Sequence, residues 1–166
     1  MILTSRQTGA GEPIVILHGL FGSARNWQSI AQKLSISNHI FTIDLPNHGS
    51  SGWTNCMSYG NLSRIISKFI VENNIEGATV LGHSLGGKLA MVITLTKPEL
   101  VGRLIVVDIA PVKYDHDNLS VVKALECVDL SLVKTRGDAD RYLKKNIRQQ
   151  AMRSFLLQNL FFSLIS

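Results

Sequence analysis

Val80-Leu81-Gly82-His83-Ser84-Leu85-Gly86-Gly87 is the stretch on which the reading of this chain turns. The apolar residues from Ala78 to Leu81 suit a buried strand, and a helix begins near Leu85. Between them Gly82 and Gly86 flank Ser84 in the pattern G-x-S-x-G. That spacing predicts a tight strand-to-helix turn with the serine hydroxyl exposed at the top of a sheet. The glycines are needed because neighbouring backbone crowds the turn, and only a residue without Cβ tolerates that approach. The helix N-terminus also places free backbone N–H groups beside the serine, ready for a developing oxyanion. Gly82 to Lys88 fits the start of a phosphate-binding loop, G-x-x-x-x-G-K, as well. That loop next needs Ser or Thr to hold magnesium, and the residue here is Leu89, so a nucleotide site lacks its metal ligand.

Upstream, Ile14-Val15-Ile16-Leu17 is a continuous apolar run, as expected of a strand buried on both faces of a parallel sheet. It ends in the loop His18-Gly19-Leu20-Phe21-Gly22-Ser23. Trp27, Ile30, Ala31 and Leu34 then recur at helical spacing. His39 to Ile43 reads as the next strand, followed by a turn-rich loop from Asp44 to Gly52. Ser58 is placed to cap a second helix whose apolar face is Leu62, Ile65, Ile66, Phe69 and Ile70. The elbow helix is predicted from about Leu85 to Thr96, and Arg103 to Val107 is a fourth strand ending at Asp108. Strand alternating with helix at this rhythm predicts right-handed βαβ units and a mostly parallel α/β sheet. Sites in such sheets form outside the carboxyl ends of the strands, where His18, Asp44, Ser84 and Asp108 all fall. After Ala110-Pro111 only helices are expected, over about 118–128, 138–148 and 150–161, like a lid. The organisation read is thus a core over 1–112 and a helical lid region over 113–166.

Composition limits the function classes. The chain has 166 residues, enough for one domain with a real core. Its N-terminus carries no apolar run of signal-peptide length, and its apolar C-terminal stretch is too short to span a bilayer. Cys56 and Cys127 stand far apart without metal-ligand spacing, which reads as reduced thiols in a cytoplasmic protein. The net charge is +5, with Lys134, Arg136, Arg141, Lys144, Lys145, Arg148 and Arg153 close together. No aromatic interleaving or nucleic-acid motif accompanies them, so they read as a solvated helical face. Neither a nucleic-acid nor a membrane partner is expected.

Taken together, the motifs resemble the α/β-hydrolase superfamily. Four features agree in order: His18-Gly19 with its loop, Asp44 to Gly49-Ser50, Gly82 to Gly87, and a strand ending in Asp108. Within that superfamily His18 to Ser23, Asn47 to Ser50, Gly82 to Lys88 and Val107 to Val112 look like the small YbfF-type esterases. Phe155-Leu156-Leu157 is similar to a lid-helix segment of that group. The resemblance runs from about Ile14 to Leu160. It implies hydrolysis of short acyl esters and acyl-CoA-like thioesters, small-molecule substrates, and no metal or cofactor.

The resemblance assigns roles residue by residue. Ser84 is the nucleophile that forms an acyl-enzyme. The backbone N–H groups of Leu85 and Leu20 form the oxyanion hole, with Phe21 as the alternative second donor. His18, Gly19, Gly82 and Gly86 support these loops. Asp108 is the candidate acid; the other readings are a buried aspartate bonding loop backbone, with the acid instead following the next strand that members of the group carry and this chain lacks. Members of the group continue with further strands and a catalytic histidine near the C-terminus. No equivalent histidine is found here, so the chain is expected to be C-terminally truncated and impaired. His48 and His116 are the resident substitutes to weigh as base. Asp115-His116-Asp117 reads as a solvated hinge in preference to a metal site. A strand at 103–107 without a neighbour would be an open edge, inviting self-association. Other classes are a non-catalytic binding module, or an acyltransferase or thioesterase on the same elbow.

Overall fold

The computed structural model describes residues 2–114 and 118–162. The chain divides into two compact units, Met1–Pro111 and Val112–Ser166.

The first unit is a five-stranded sheet with helices on both faces. Strand β1 is Ser5–Thr8, β2 Glu12–Leu17, β3 Asn38–Ile43, β4 Ala78–His83 and β5 Val101–Val107. Helices α1 (Gln28–Leu34), α2 (Tyr59–Glu72) and α3 (Leu85–Thr96) connect the strands from β2 onward. The spatial order is β1-β3-β2-β4-β5. Strands β3, β2, β4 and β5 are parallel, so their carboxyl ends share one end of the sheet. Alternation along each strand sorts the core into two layers. Val15, Leu17, Phe41, Ile43 and Val80 pack with Leu62, Ile66 and Ile70 of α2 and Leu89 and Ile93 of α3. Ile14, Ile16, Ile40 and Leu81 pack on the other side with Trp27, Ala31 and Leu34. Ser58 caps α2, its hydroxyl accepting from the Asn61 N–H, and satisfies one of the orphan donors of the first turn.

Strand β1 is an addition to the sequence reading. It pairs antiparallel to β3, with Ser5 opposite Ile43 and Thr8 opposite Ile40. Ser5-Arg6-Gln7-Thr8 is polar and largely exposed, so it carries no hydrophobic period to read; only the free edge of β3 holds it in place. At the far side, β5 is an edge strand, with Leu104 and Ile105 exposed by 38% and 43%.

The second unit holds α4 (Leu119–Glu126), α5 (Arg136–Lys144) and α6 (Gln150–Leu156). Helix α5 starts two residues earlier than expected because Thr135 and Asp138 form a reciprocal capping box. Arg153 departs from the sequence expectation, because it does not belong to a solvated basic face. It is 6% exposed, and its Nε donates to Asp140 Oδ1 at 2.7 Å. Its Nη1 donates to the Ile147 and Arg148 carbonyls at 3.1 and 2.8 Å. A buried guanidinium is tolerated because this fork of acceptors replaces water.

Candidate active site

The non-glycine residues with positive φ mark the site. Phe21 (61°), Asn47 (63°), Ser84 (49°) and Asp108 (55°) each lie just beyond the carboxyl end of one of the four parallel strands. Such conformations are disfavoured for residues with a Cβ, and they cluster where surrounding structure holds functional groups in place. Asn74, after α2, is the remaining such residue among those described.

Ser84 sits between β4 and α3 with ψ at −113°, as the N-cap of α3. The turn is closed by approaches that leave no room for a side chain. A Cβ on Gly82 would lie 2.2 Å from the Gly86 carbonyl oxygen, and one on Gly86 would lie 2.3 Å from that of Leu17. The elbow is therefore packed against the end of β2. Gly19 approaches as closely: its Cβ would meet His83 Nδ1 at 2.7 Å and Ser84 Cβ at 3.3 Å. On the other flank the Ser84 N–H donates to the Val107 carbonyl at 3.1 Å, tying the elbow to the end of β5. Among the described residues, Ser84 Oγ and the N–H groups of Leu20 and Leu85 have no hydrogen-bond partner.

Two histidines shape the loop after β2. His18 is 1% exposed. Its Nε2 accepts the Leu45 N–H at 2.9 Å, which leaves the proton on Nδ1, donated to the Gly19 carbonyl at 2.8 Å. Burial holds its pKa down at about 4, so the ring is neutral and clamps the two loops. His48 is used in the same way: Nδ1 donates to the Pro46 carbonyl at 2.8 Å, and Nε2 accepts the Phe21 N–H at 3.3 Å. The two rings lie tilted against each other with centroids 5.1 Å apart. Both nitrogens of His48 are thus committed to backbone. Sequence reasoning finds His48 only as a base; its role under Phe21 has no signal in spacing.

Asp44 organises the neighbouring loop. Its carboxylate accepts the Ala24 N–H at 2.7 Å and the Ser50 N–H at 3.0 Å. Asp108 behaves differently. It is not buried against loop backbone: its side chain is 86% exposed, and Oδ2 lies 3.7 Å from His83 Nε2. A carboxylate displayed at the site end of β5 is open to a further partner. His39 stacks on Phe41 near the start of β3, at the opposite end of the sheet. His116, with Asp115 and Asp117, lies outside the described residues.

This fold and elbow define a class. The chain belongs to the alpha/beta hydrolase fold family, whose sequence profile matches residues 12–158. It is 36% identical over 160 residues to the sn-1-specific diacylglycerol lipase ABHD11 of Danio rerio, covering 92% of this chain and 50% of that protein. It is 31% identical to esterase YbfF of Escherichia coli, covering 94% of this chain and 62% of the relative. Among solved structures, a marine microorganism esterase superposes with a TM-score of 0.94 at 40% identity, over 98% of this chain and 65% of that one. The chain therefore spans about half to two thirds of the length of these relatives.

Proposed function

We propose that this chain carries the nucleophile, oxyanion donors and acid of a serine hydrolase acting on carboxylic esters or thioesters. The observation that carries the reading is Ser84, held in a strained backbone conformation with Gly19 packed close against it, while the Leu20 and Leu85 amides have no hydrogen-bond partner among the described residues. In this reading Ser84 Oγ attacks the acyl carbon and loses its proton to a base. The charge that develops on the carbonyl oxygen is taken by the Leu20 and Leu85 N–H groups, each contributing about 3–4 kcal/mol to the transition state. The alcohol or thiol leaves with a proton, and water then cleaves the acyl-enzyme. The Phe21 amide is the weaker candidate for the second donor because His48 already accepts from it. Asp108 serves by orienting the base once a histidine stands between it and Ser84. The helical region 113–166 is the lid in this reading.

Among the described residues no histidine is hydrogen-bonded to Ser84 Oγ. Both nitrogens of His18 and of His48 are hydrogen-bonded, His39 lies at the wrong end of the sheet, and His83 faces Asp108. On this reading the described residues alone turn esters over slowly, and a histidine brought within reach of Ser84 would complete the site. Mass spectrometry of the chain after exposure to an alkyl fluorophosphonate in the presence of imidazole as diffusible base tests the nucleophile. Modification on the Ser84 peptide, absent from Ser84→Ala, supports the reading. Modification only at Cys56 or at lysines refutes it. An acyltransferase on the same elbow would show itself by preferring an added alcohol over water as acceptor.

A further inference from the structure

His83, between Gly82 and Ser84, has no part in the reaction as described. It ends β4 and stands beside Val107 in the register of β4 with β5. Its ring is shared among three pieces of the site. Nδ1 would lie 2.7 Å from a Cβ on Gly19, so the loop after β2 rests a bare Cα against the ring. Trp27, the N-cap of α1, lies tilted to it with centroids 6.2 Å apart. Nε2 faces Asp108 Oδ2 at 3.7 Å.

At Asp108 the backbone is fixed and the side chain is not. The Ser84 N–H holds the Val107 carbonyl at 3.1 Å. On the other side Ile109 packs onto α3, its Cγ2 standing 2.5 Å from where a Gly87 Cβ would be. The Asp108 side chain is 86% exposed, and His83 is its one partner among the described residues. A carboxylate without any partner is spread over its staggered rotamers, so the contact with His83 biases where the oxygens point.

We infer that His83 is a positioning residue with two separable duties. Its ring sets the distance between the elbow and the loop of Gly19 and Leu20, and hence where the Leu20 N–H stands. Its Nε2 holds the Asp108 carboxylate ready for a base. His83 thus acts through Gly19 and Asp108, and the inference rests on the proposed role of Ser84.

The test is the rate at which an alkyl fluorophosphonate labels Ser84 over a range of imidazole concentrations, read by mass spectrometry. In that step the Ser84 Oγ–P bond forms, the P–F bond breaks, fluoride leaves and the Oγ proton passes to imidazole. The saturating rate reports the oxyanion donors, and the imidazole concentration at half-saturation reports how well Asp108 receives the base. His83→Ala removes the ring from beside Gly19 and should lower the saturating rate about tenfold or more, part of what a lost oxyanion donor costs. His83→Phe keeps a ring there; it should leave the saturating rate within about twofold and raise the half-saturation concentration about threefold, the scale of an exposed pair. That rise should vanish in an Asp108→Asn background, a coupling that a merely structural residue would not show. Rates are normalised to the folded fraction found by urea denaturation, so a loss of stability does not imitate the effect. Equal rates and equal imidazole dependence in the unsubstituted chain and both variants would overturn the inference. A His83→Phe effect that persists undiminished without the Asp108 carboxylate would overturn it too. Absence of Ser84 labelling in the unsubstituted chain at every imidazole concentration would overturn the proposed function, and this inference with it.

Discussion

Ser84 holds a conformation that costs about 1–3 kcal/mol for a residue with a side chain, and the bonds around it keep it there. Replacing it with glycine removes the strain together with the hydroxyl. Ser84→Gly should therefore raise unfolding stability by about 1 kcal/mol, measured by urea denaturation; a loss of stability would mean the elbow is relaxed. His18 makes the second prediction at this scale. Folded, it stays neutral down to about pH 4; unfolded, it takes a proton near its ordinary value of 6.5. Between these values the unfolded chain binds more protons, so stability is complete above about pH 6.5 and falls as pH drops toward 4. The loss attributable to His18 should be about 3 kcal/mol. His18→Gln should flatten that dependence by about the same amount; an equal slope in both proteins would contradict the buried, neutral assignment.

Among the elements, β5 is the apolar one of the two sheet edges, β1 being polar and exposed. Its outer backbone groups lack a neighbouring strand in the described sheet, and Leu104 and Ile105 are partly exposed. Such edges pair with other chains unless something blunts them. Sedimentation should show concentration-dependent association, reduced by Ile105→Lys without loss of helix content; a monomer at all concentrations would contradict this. The elements also differ in how legible they are in sequence. The runs at 14–17 and 39–43 and the glycines of the elbow announce β2, β3, β4 and α3, because burial on both faces leaves an unbroken apolar signature. Strand β1 leaves none, since its edge position is set by β3 and not by its own residues. The burial of Arg153 is equally invisible: a basic residue among basic residues reads as surface, and only the convergence of Asp140 with two carbonyls of the loop between α5 and α6 reverses that. At the candidate site, the tight turn at Ser84 and the strand end at Asp108 are legible from the motif and the apolar run. The commitment of His48 to Phe21 is not, because the contact spans 27 positions of sequence.

Taken whole, the molecule presents in its first unit a tight strand-to-helix turn at Ser84, a loop after β2 clamped by His18 and His48, and an exposed Asp108. No helix among the described residues is long and apolar enough to cross a membrane. In the proposed function Ser84 is in place and no base is found for it among the described residues. Hydrolysis of p-nitrophenyl butyrate by the purified chain, beside Ser84→Ala, with and without added imidazole, is the decisive assay. Without imidazole the two proteins should run alike, at the residual level that an oxyanion hole and binding leave, roughly 10³–10⁴ over water. With imidazole as a diffusible base, a Ser84-dependent increment should appear above that of the variant. Full Ser84-dependent turnover without any added base would contradict the missing base and make a resident histidine, His48 or His116, the catalytic one.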